Sequence, residues 1–167
     1  RAGRAYSFDG VNDLIDYNAS AELLSNFSLS FWAYPESSMQ VPSQASSGSV
    51  IGFSPKILFA PANGGGSGAA GLGISLGSNG IYTISHSTGN YSPILVHSST
   101  LSSWNHFVVK VISNQPSLFI NGSFIRQGLD PNKALFFSKT INGTILNGEI
   151  GKGYYGAFKG SIDEIRE

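Results

Sequence analysis

Apolar and polar positions alternate along much of this chain with a period of two. Residues 28–34 (SLSFWAY) set Leu29, Phe31 and Ala33 on one side and Ser28, Ser30, Trp32 and Tyr34 on the other, which predicts a strand with one buried face. Residues 104–112 (WNHFVVKVI) repeat the pattern, with Phe107, Val109 and Val111 as the core set and Trp104, His106, Val108 and Lys110 opposite. Residues 117–120 (SLFI) and 123–126 (SFIR) flank Asn121-Gly122. That dipeptide tolerates positive φ at both central positions of a type I′ turn, so the two segments are expected to form a tight hairpin.

Further strands are expected at 4–8, 13–17, 49–53, 72–76, 81–86, 93–97, 144–151 and 157–166, separated by turn chemistry such as Ser78-Asn79-Gly80 and Asn142-Gly143. Only residues 20–25 (SAELLS) have helical character, and they are too few for more than one turn. Residues 35–48 (PESSMQVPSQASSG) and 61–71 (PANGGGSGAAG) lack any strand pattern and read as long loops. Ten or more short strands with polar turns imply an all-β, two-sheet antiparallel sandwich of jelly-roll type, with residues 1–167 forming one domain.

Composition narrows the function. Ten basic residues balance ten acidic ones and charged residues are only 12% of the chain, so no global field draws it to nucleic acid or to an acidic membrane surface. Zero cysteines exclude a disulfide scaffold and Cys-type zinc sites. The longest apolar runs, such as 57–62, are far too short to span a bilayer, and a chain opening at Arg1 reads as a mature fragment or excised domain. Asn-x-Ser/Thr patterns start at Asn18, Asn26, Asn90, Asn121 and Asn142; they would serve as glycosylation acceptors in a eukaryotic secretory protein, while chance explains them more cheaply in a chain this rich in Asn and Ser.

Five segments, in order, resemble the concanavalin A-like, laminin-G-like jelly-roll domains of bacterial surface proteins and polysaccharide-degrading enzymes. Residues 5–17 (AYSFDGVNDLIDY) resemble that family's opening strand pair, and residues 26–37 (NFSLSFWAYPES) its aromatic strand. Residues 102–111 (SSWNHFVVKV) resemble its tryptophan-led strand, 117–128 (SLFINGSFIRQG) its Asn-Gly hairpin, and 158–166 (FKGSIDEIR) its closing strand. Where many relatives have paired histidines, this chain has Asn105 before a single His106. The resemblance implies a secreted or cell-surface location and a lectin-like fold. It also implies a structural calcium ion joining the first strands to the closing one, with Asp9 and Asp163 at the matching positions and Asn12 and Asp13 as further candidates. The same Asp9-Gly10 and Asn12-Asp13 pairs are also good turn residues.

Catalysis has little to draw on. A glycosidase needs two carboxyl groups facing each other across a sugar, and related jelly-roll glucanases place theirs on alternate residues of one strand. Here the close strand pair is Asp163-Glu164, adjacent residues that regular alternation points to opposite faces. His86, His97 and His106 fall on separate expected strands without ligand spacing. A non-catalytic protein is therefore expected.

Sugar binding needs an exposed aromatic surface beside polar groups. Trp32 shares a face with Ser28, Ser30 and Tyr34, and Trp104 with His106 and Lys110; together these faces could line a groove. The competing expectation, that both tryptophans are buried, follows from the average burial of Trp. Tyr91 in the GNYS segment and Tyr154-Tyr155 beside Asn147 and Lys152 are expected in loops, where they would contact a ligand. Three functions follow: a carbohydrate-binding or adhesive module whose partner is a glycan or polysaccharide; a protein-interaction or spacer domain contacting another surface protein; and an accessory domain of a polysaccharide hydrolase. The isolated domain is expected to be monomeric, without nucleic acid or membrane insertion.

Overall fold

The computed structural model describes residues 3–11, 13, 15, 26–48, 50, 55–61, 68–137 and 156–167. Twelve strands and no helix occur among them: β1 (Tyr6–Asp9), β2 (Phe27–Pro35), β3 (Lys56–Phe59), β4 (Ala69–Gly77), β5 (Gly80–Ser87), β6 (Asn90–Ser98), β7 (Asn105–Ile112), β8 (Gln115–Ile120), β9 (Ser123–Gln127), β10 (Ala134–Phe137), β11 (Gly156–Ala157) and β12 (Lys159–Arg166). They form two stacked sheets, the jelly-roll sandwich expected from the alternation.

The first sheet has the order β1-β12-β2-β7-β8-β9, every neighbour antiparallel. Its inner face is the apolar set read from the sequence. Leu29, Phe31 and Ala33 of β2 and Phe107, Val109 and Val111 of β7 are buried. Phe31 stacks on Phe107 with ring centroids 5.3 Å apart and meets Phe59 of the facing sheet edge-on at 5.0 Å, contacts that add to simple area burial. The β8–β9 hairpin turns at Asn121 (φ 52°) and Gly122 (φ 81°), the two positive angles of a type I′ turn.

The second sheet has the order β11-β3-β4-β5-β6, with β10 beside the first half of β4. Most of its pairs are antiparallel, but β10 runs parallel to β4 and β11 parallel to β3. Three features depart from the sequence reading. Residues 69–71 (AAG), read as part of a glycine-rich loop, belong to β4, where pairing with β10 and His86 satisfies their backbone. Strands β3 and β10 were not expected, because KILF and ALFF are short and carry no alternation. Residues 36–48 lack strand structure as expected, yet they are a packed strap rather than a free loop. The expected strand at 144–151 and helical turn at 20–25 lie outside the described residues. So do most of 13–17 and 49–53.

Candidate ligand-binding face

Each sheet turns one face inward and one outward, and the two outward faces differ. On the second sheet the outward positions of β4 are Gly71, Gly73, Ser75 and Gly77, paired with His86, Ile84, Tyr82 and Gly80 of β5. This low surface is filled by the chain itself. A Cβ on Gly73 would stand 2.6 Å from Cδ of Pro61, and one on Gly77 2.9 Å from Cγ of Met39, so glycine is what allows both segments to seat. Met39 and Val50 pack with Ile57, Tyr82, Ile84 and Val96 into a second apolar cluster.

The strap is tied down along its length. Met39 N–H donates to Asn79 Oδ1 (3.0 Å) and Asn79 Nδ2 donates to Met39 O (2.9 Å). Ala45 N–H reaches Pro93 O (3.0 Å), Val96 N–H reaches Gln44 Oε1 (3.1 Å), and Val50 N–H reaches Tyr91 O (2.9 Å). Beneath it, burial pushes the Tyr82 phenol up to about 12, an effect the Ser75 hydroxyl only partly offsets.

The outward face of the first sheet carries no such cover among the described residues. Register brings Trp32 of β2 opposite His106 of β7 on one side and Asp163 of β12 on the other. The Trp32 and His106 rings lie 5.3 Å apart and tilted, and Tyr34 lies 6.3 Å from Trp104. The two strand faces that carry the tryptophans thus form one continuous aromatic surface. Trp32 is half-buried and Trp104 is 41% exposed, which overturns the expectation that both indoles are buried. Gly3, Ala5, Trp32, Trp104 and Asp163 line a recess of ≈ 230 Å³. Further along the same face, Ser28, Val108, Lys110 and Phe119 line a broad depression of ≈ 750 Å³.

The family resemblance puts Asp163 among the candidate metal ligands; the described aromatic side chains lining the recess with it are Trp32 and Trp104. The strand bulges directly after it: Asp163 faces Trp32 while Arg166, three residues on, faces Ser30, two residues back. Glu164 takes up the slack with φ 49° and donates its N–H to Asp163 Oδ1 (2.8 Å). Bulges commonly re-aim a side chain where a site is built.

The other candidate residues are dispersed. Asp9 and Asp13 come together at the end of β1, where Asp13 Oδ2 accepts from Asp9 N–H (2.7 Å) and Asp9 Oδ1 from Val11 N–H (2.7 Å), the turn role foreseen for them. Asp9 pairs with Lys159, four residues before Asp163 on β12, a separation of about 13 Å along a strand. Asn12 lies outside the described residues. Asp9, Asp13 and Asp163 therefore do not fit one calcium coordination sphere, and no group of three His, Cys, Asp or Glu is placed to hold an ion among the described residues.

Tyr91 is in β6 rather than a loop. Its ring stacks on His86 at 4.2 Å, and its N–H donates to Gly48 O (3.1 Å), on the strapped face. Tyr154, Tyr155, Asn147 and Lys152 lie outside the described residues. Of the Asn-x-Ser/Thr patterns, Asn121 uses its amide internally: Nδ2 donates to Asn105 Oδ1 (2.9 Å) and Oδ1 accepts from His106 N–H (2.9 Å).

Comparison with known proteins agrees with this architecture. A laminin-G-type family profile, described as the concanavalin A-like lectin/glucanases superfamily, matches residues 9–166. No curated protein sequence matches the chain. Among solved structures, domain 4 of AbnA, a GH43 extracellular arabinanase from Geobacillus stearothermophilus in complex with arabinotriose, is similar with a TM-score of 0.52 at 20% identity, over 99% of this chain and 70% of that one. Domains LG4-5 of the mouse laminin α1 chain are similar with a TM-score of 0.50 at 9% identity, over 97% of this chain and 40% of that one. At these identities the likeness is one of fold.

Proposed function

The chain belongs to the concanavalin A-like lectin/glucanase superfamily, and from that premise we propose that it is a non-catalytic carbohydrate-binding or adhesive module of a larger secreted or surface protein. The observation that carries this reading is the contrast between the two outward faces. One is occupied by the chain's own strap; the other presents Trp32, Tyr34, Trp104 and His106 as a connected aromatic surface beside a carboxylate. A pyranose or furanose ring offers an apolar C–H face to stack on an indole and a hydroxyl rim for polar partners, which is the chemistry this surface supplies.

The recess supports binding without hydrolysis. Among the described residues its one carboxylate is Asp163, whereas glycoside cleavage takes two carboxyl groups roughly 5–9.5 Å apart across the bond. The GH43 arabinanase domain was solved with arabinotriose, so arabino-oligosaccharides are a sensible first probe. The experiment is a glycan array probed in calcium and in chelator. Binding to one glycan class is expected, and silence in both buffers would reject the reading.

A second reading, a protein-interaction domain, draws on the broad depression between β2 and β8 with its apolar lining of Phe27, Val108, Ile112 and Phe119. Ile112 is 48% exposed there and Phe124 beyond it 60%. Replacing Phe119 and Phe124 with Ser should leave glycan binding intact on the first reading, and should abolish partner capture on the second.

A further inference from the structure

We propose that Arg126 and His97 form an acid-sensitive clasp at the rim of the sandwich, which holds β9 to β6 at neutral pH and loosens when His97 takes up a proton. The two residues face each other across the gap between the sheets. His97 pairs with Ile81 of β5, and Arg126 with Leu118 of β8. Ile81 and Leu118 both belong to the main core, and residues directly opposite one another share a face of their sheet. His97 and Arg126 therefore both turn inward, from opposite sheets. Arg126 Nη1 donates to Val96 O (2.6 Å), crossing from the first sheet to the second. Close by, Leu129 N–H donates to Ile94 O (2.7 Å), and Val96 N–H donates to Gln44 Oε1 of the strap (3.1 Å). The backbone of β6 from Ile94 to Val96 is thus capped by side chains and a connecting segment, one of the ways a strand edge is covered.

The clasp is narrowly held. Arg126 Nε is buried with no hydrogen-bond acceptor among the described residues, so the Val96 carbonyl does most to anchor a cationic side chain. Around His97, β5 presents Ile81, β9 presents Arg126, and the strap brings uncharged Gln44 to the adjoining Val96. Asp130, the acidic residue nearest to Arg126 in sequence, accepts from Asn132 N–H (2.7 Å). Burial first, and the Arg126 charge second, push the His97 pKa below its ordinary 6.5. Both causes have one meaning: the rim accepts a neutral imidazole and resists a second cation. Since the unfolded chain takes the proton more readily, the clasp's stability is complete above 6.5 and is lost as pH falls through 6.5 toward the lower folded value. Acid would then drive Arg126 from Val96 O and loosen the edge that also receives the strap.

The test is amide hydrogen exchange on the whole chain from about pH 8 to about pH 5, where histidines titrate and most carboxylates stay ionised. Rates are corrected for the intrinsic pH dependence of exchange, and the His97 ring protons are followed in the same samples. The His97 midpoint is expected below 6.5. Over that range the Val96 and Leu129 amides should lose at least about threefold more protection than amides of β2 and β7, and added salt should restore part of the loss by screening the repulsion. His97→Gln, which stays neutral, should keep both amides protected, with urea unfolding at the upper pH verifying its fold. Arg126→Gln should raise the His97 midpoint toward 6.5. A native His97 midpoint at or above 6.5 would overturn the clasp whether or not either variant folds. So would an equal loss of protection in the native chain and in His97→Gln, which would trace the acid response to other groups.

Discussion

The outward faces of the two sheets start from similar strands and end in opposite states. On the first sheet, β2 and β7 alternate buried and half-buried positions, and the outward residues are left to solvent. On the second, every residue of β5 is buried, because the strap and Pro61 convert its outward face into a second small core. Small residues on alternate positions of β4 are what allow a chain segment to settle there, while Trp32, Tyr34 and His106 on the first sheet leave no such trough. Filling one face with the chain's own side chains stabilises the sandwich; the other face has no such cover among the described residues, which is what the proposed ligand site requires.

Substitutions under the strap should cost stability and leave binding untouched, and those on the open face should do the reverse. The largest effect is expected at Tyr82, a fully buried β5 residue that packs with Met39 of the strap: Tyr82→Ala should lower unfolding free energy by about 3–5 kcal/mol in urea denaturation. Met39→Ala, which removes the side chain seated on Gly77, should cost about 2 kcal/mol, the low end for such truncations because the strap lies near the surface and can partly collapse.

A pH titration sharpens the same side of the comparison. The Tyr82 phenol titrates near 10 when unfolded and is pushed up to about 12 in the fold. Its contribution is therefore complete below pH 10 and lost as pH rises through 12, because the unfolded state releases its proton first. Stability should fall by about 1–2 kcal/mol more in the native chain than in Tyr82→Phe across that window; parallel profiles would show that the phenol is not held away from water. The smallest stability change is expected on the open face. Trp104→Ala should alter unfolding free energy by no more than about 0.5 kcal/mol, yet weaken glycan affinity about tenfold through loss of the stacking surface.

The sequence makes the first sheet far more legible than the second. Alternation in β2 and β7 and the Asn121-Gly122 turn translate directly into structure, because one face of each strand is wet and the pattern records it. The second sheet hides its period: a strand covered on both sides has no polar face to display, and KILF and ALFF read as plain apolar runs. The role of the glycines at 73 and 77 shows only once the segments that pack on them, at Pro61 and Met39, are known.

The candidate site divides in the same way. Trp32 was recognisable as a face-sharing aromatic, but the exposure of Trp104 runs against the average behaviour of tryptophan. Asp163 was recognisable as a strand residue, yet its place beside Trp32 depends on pairing between strands about 130 residues apart in sequence, together with a bulge, and no local pattern encodes either. The turn role of Asp9 and Asp13 was legible from their chemistry alone.

The most direct test of the open face uses the fact that Trp32 and Trp104 are the only tryptophans in the chain. Each gives one indole N–H resonance in a nitrogen–proton correlation spectrum. Titrated with an oligosaccharide that scores on the array, both indole signals should shift in proportion to saturation, while backbone signals of the strap around Met39 and Ala45 stay in place. Stationary indoles with a moving strap would contradict the account, and would place the ligand on the face that the chain's own segment covers.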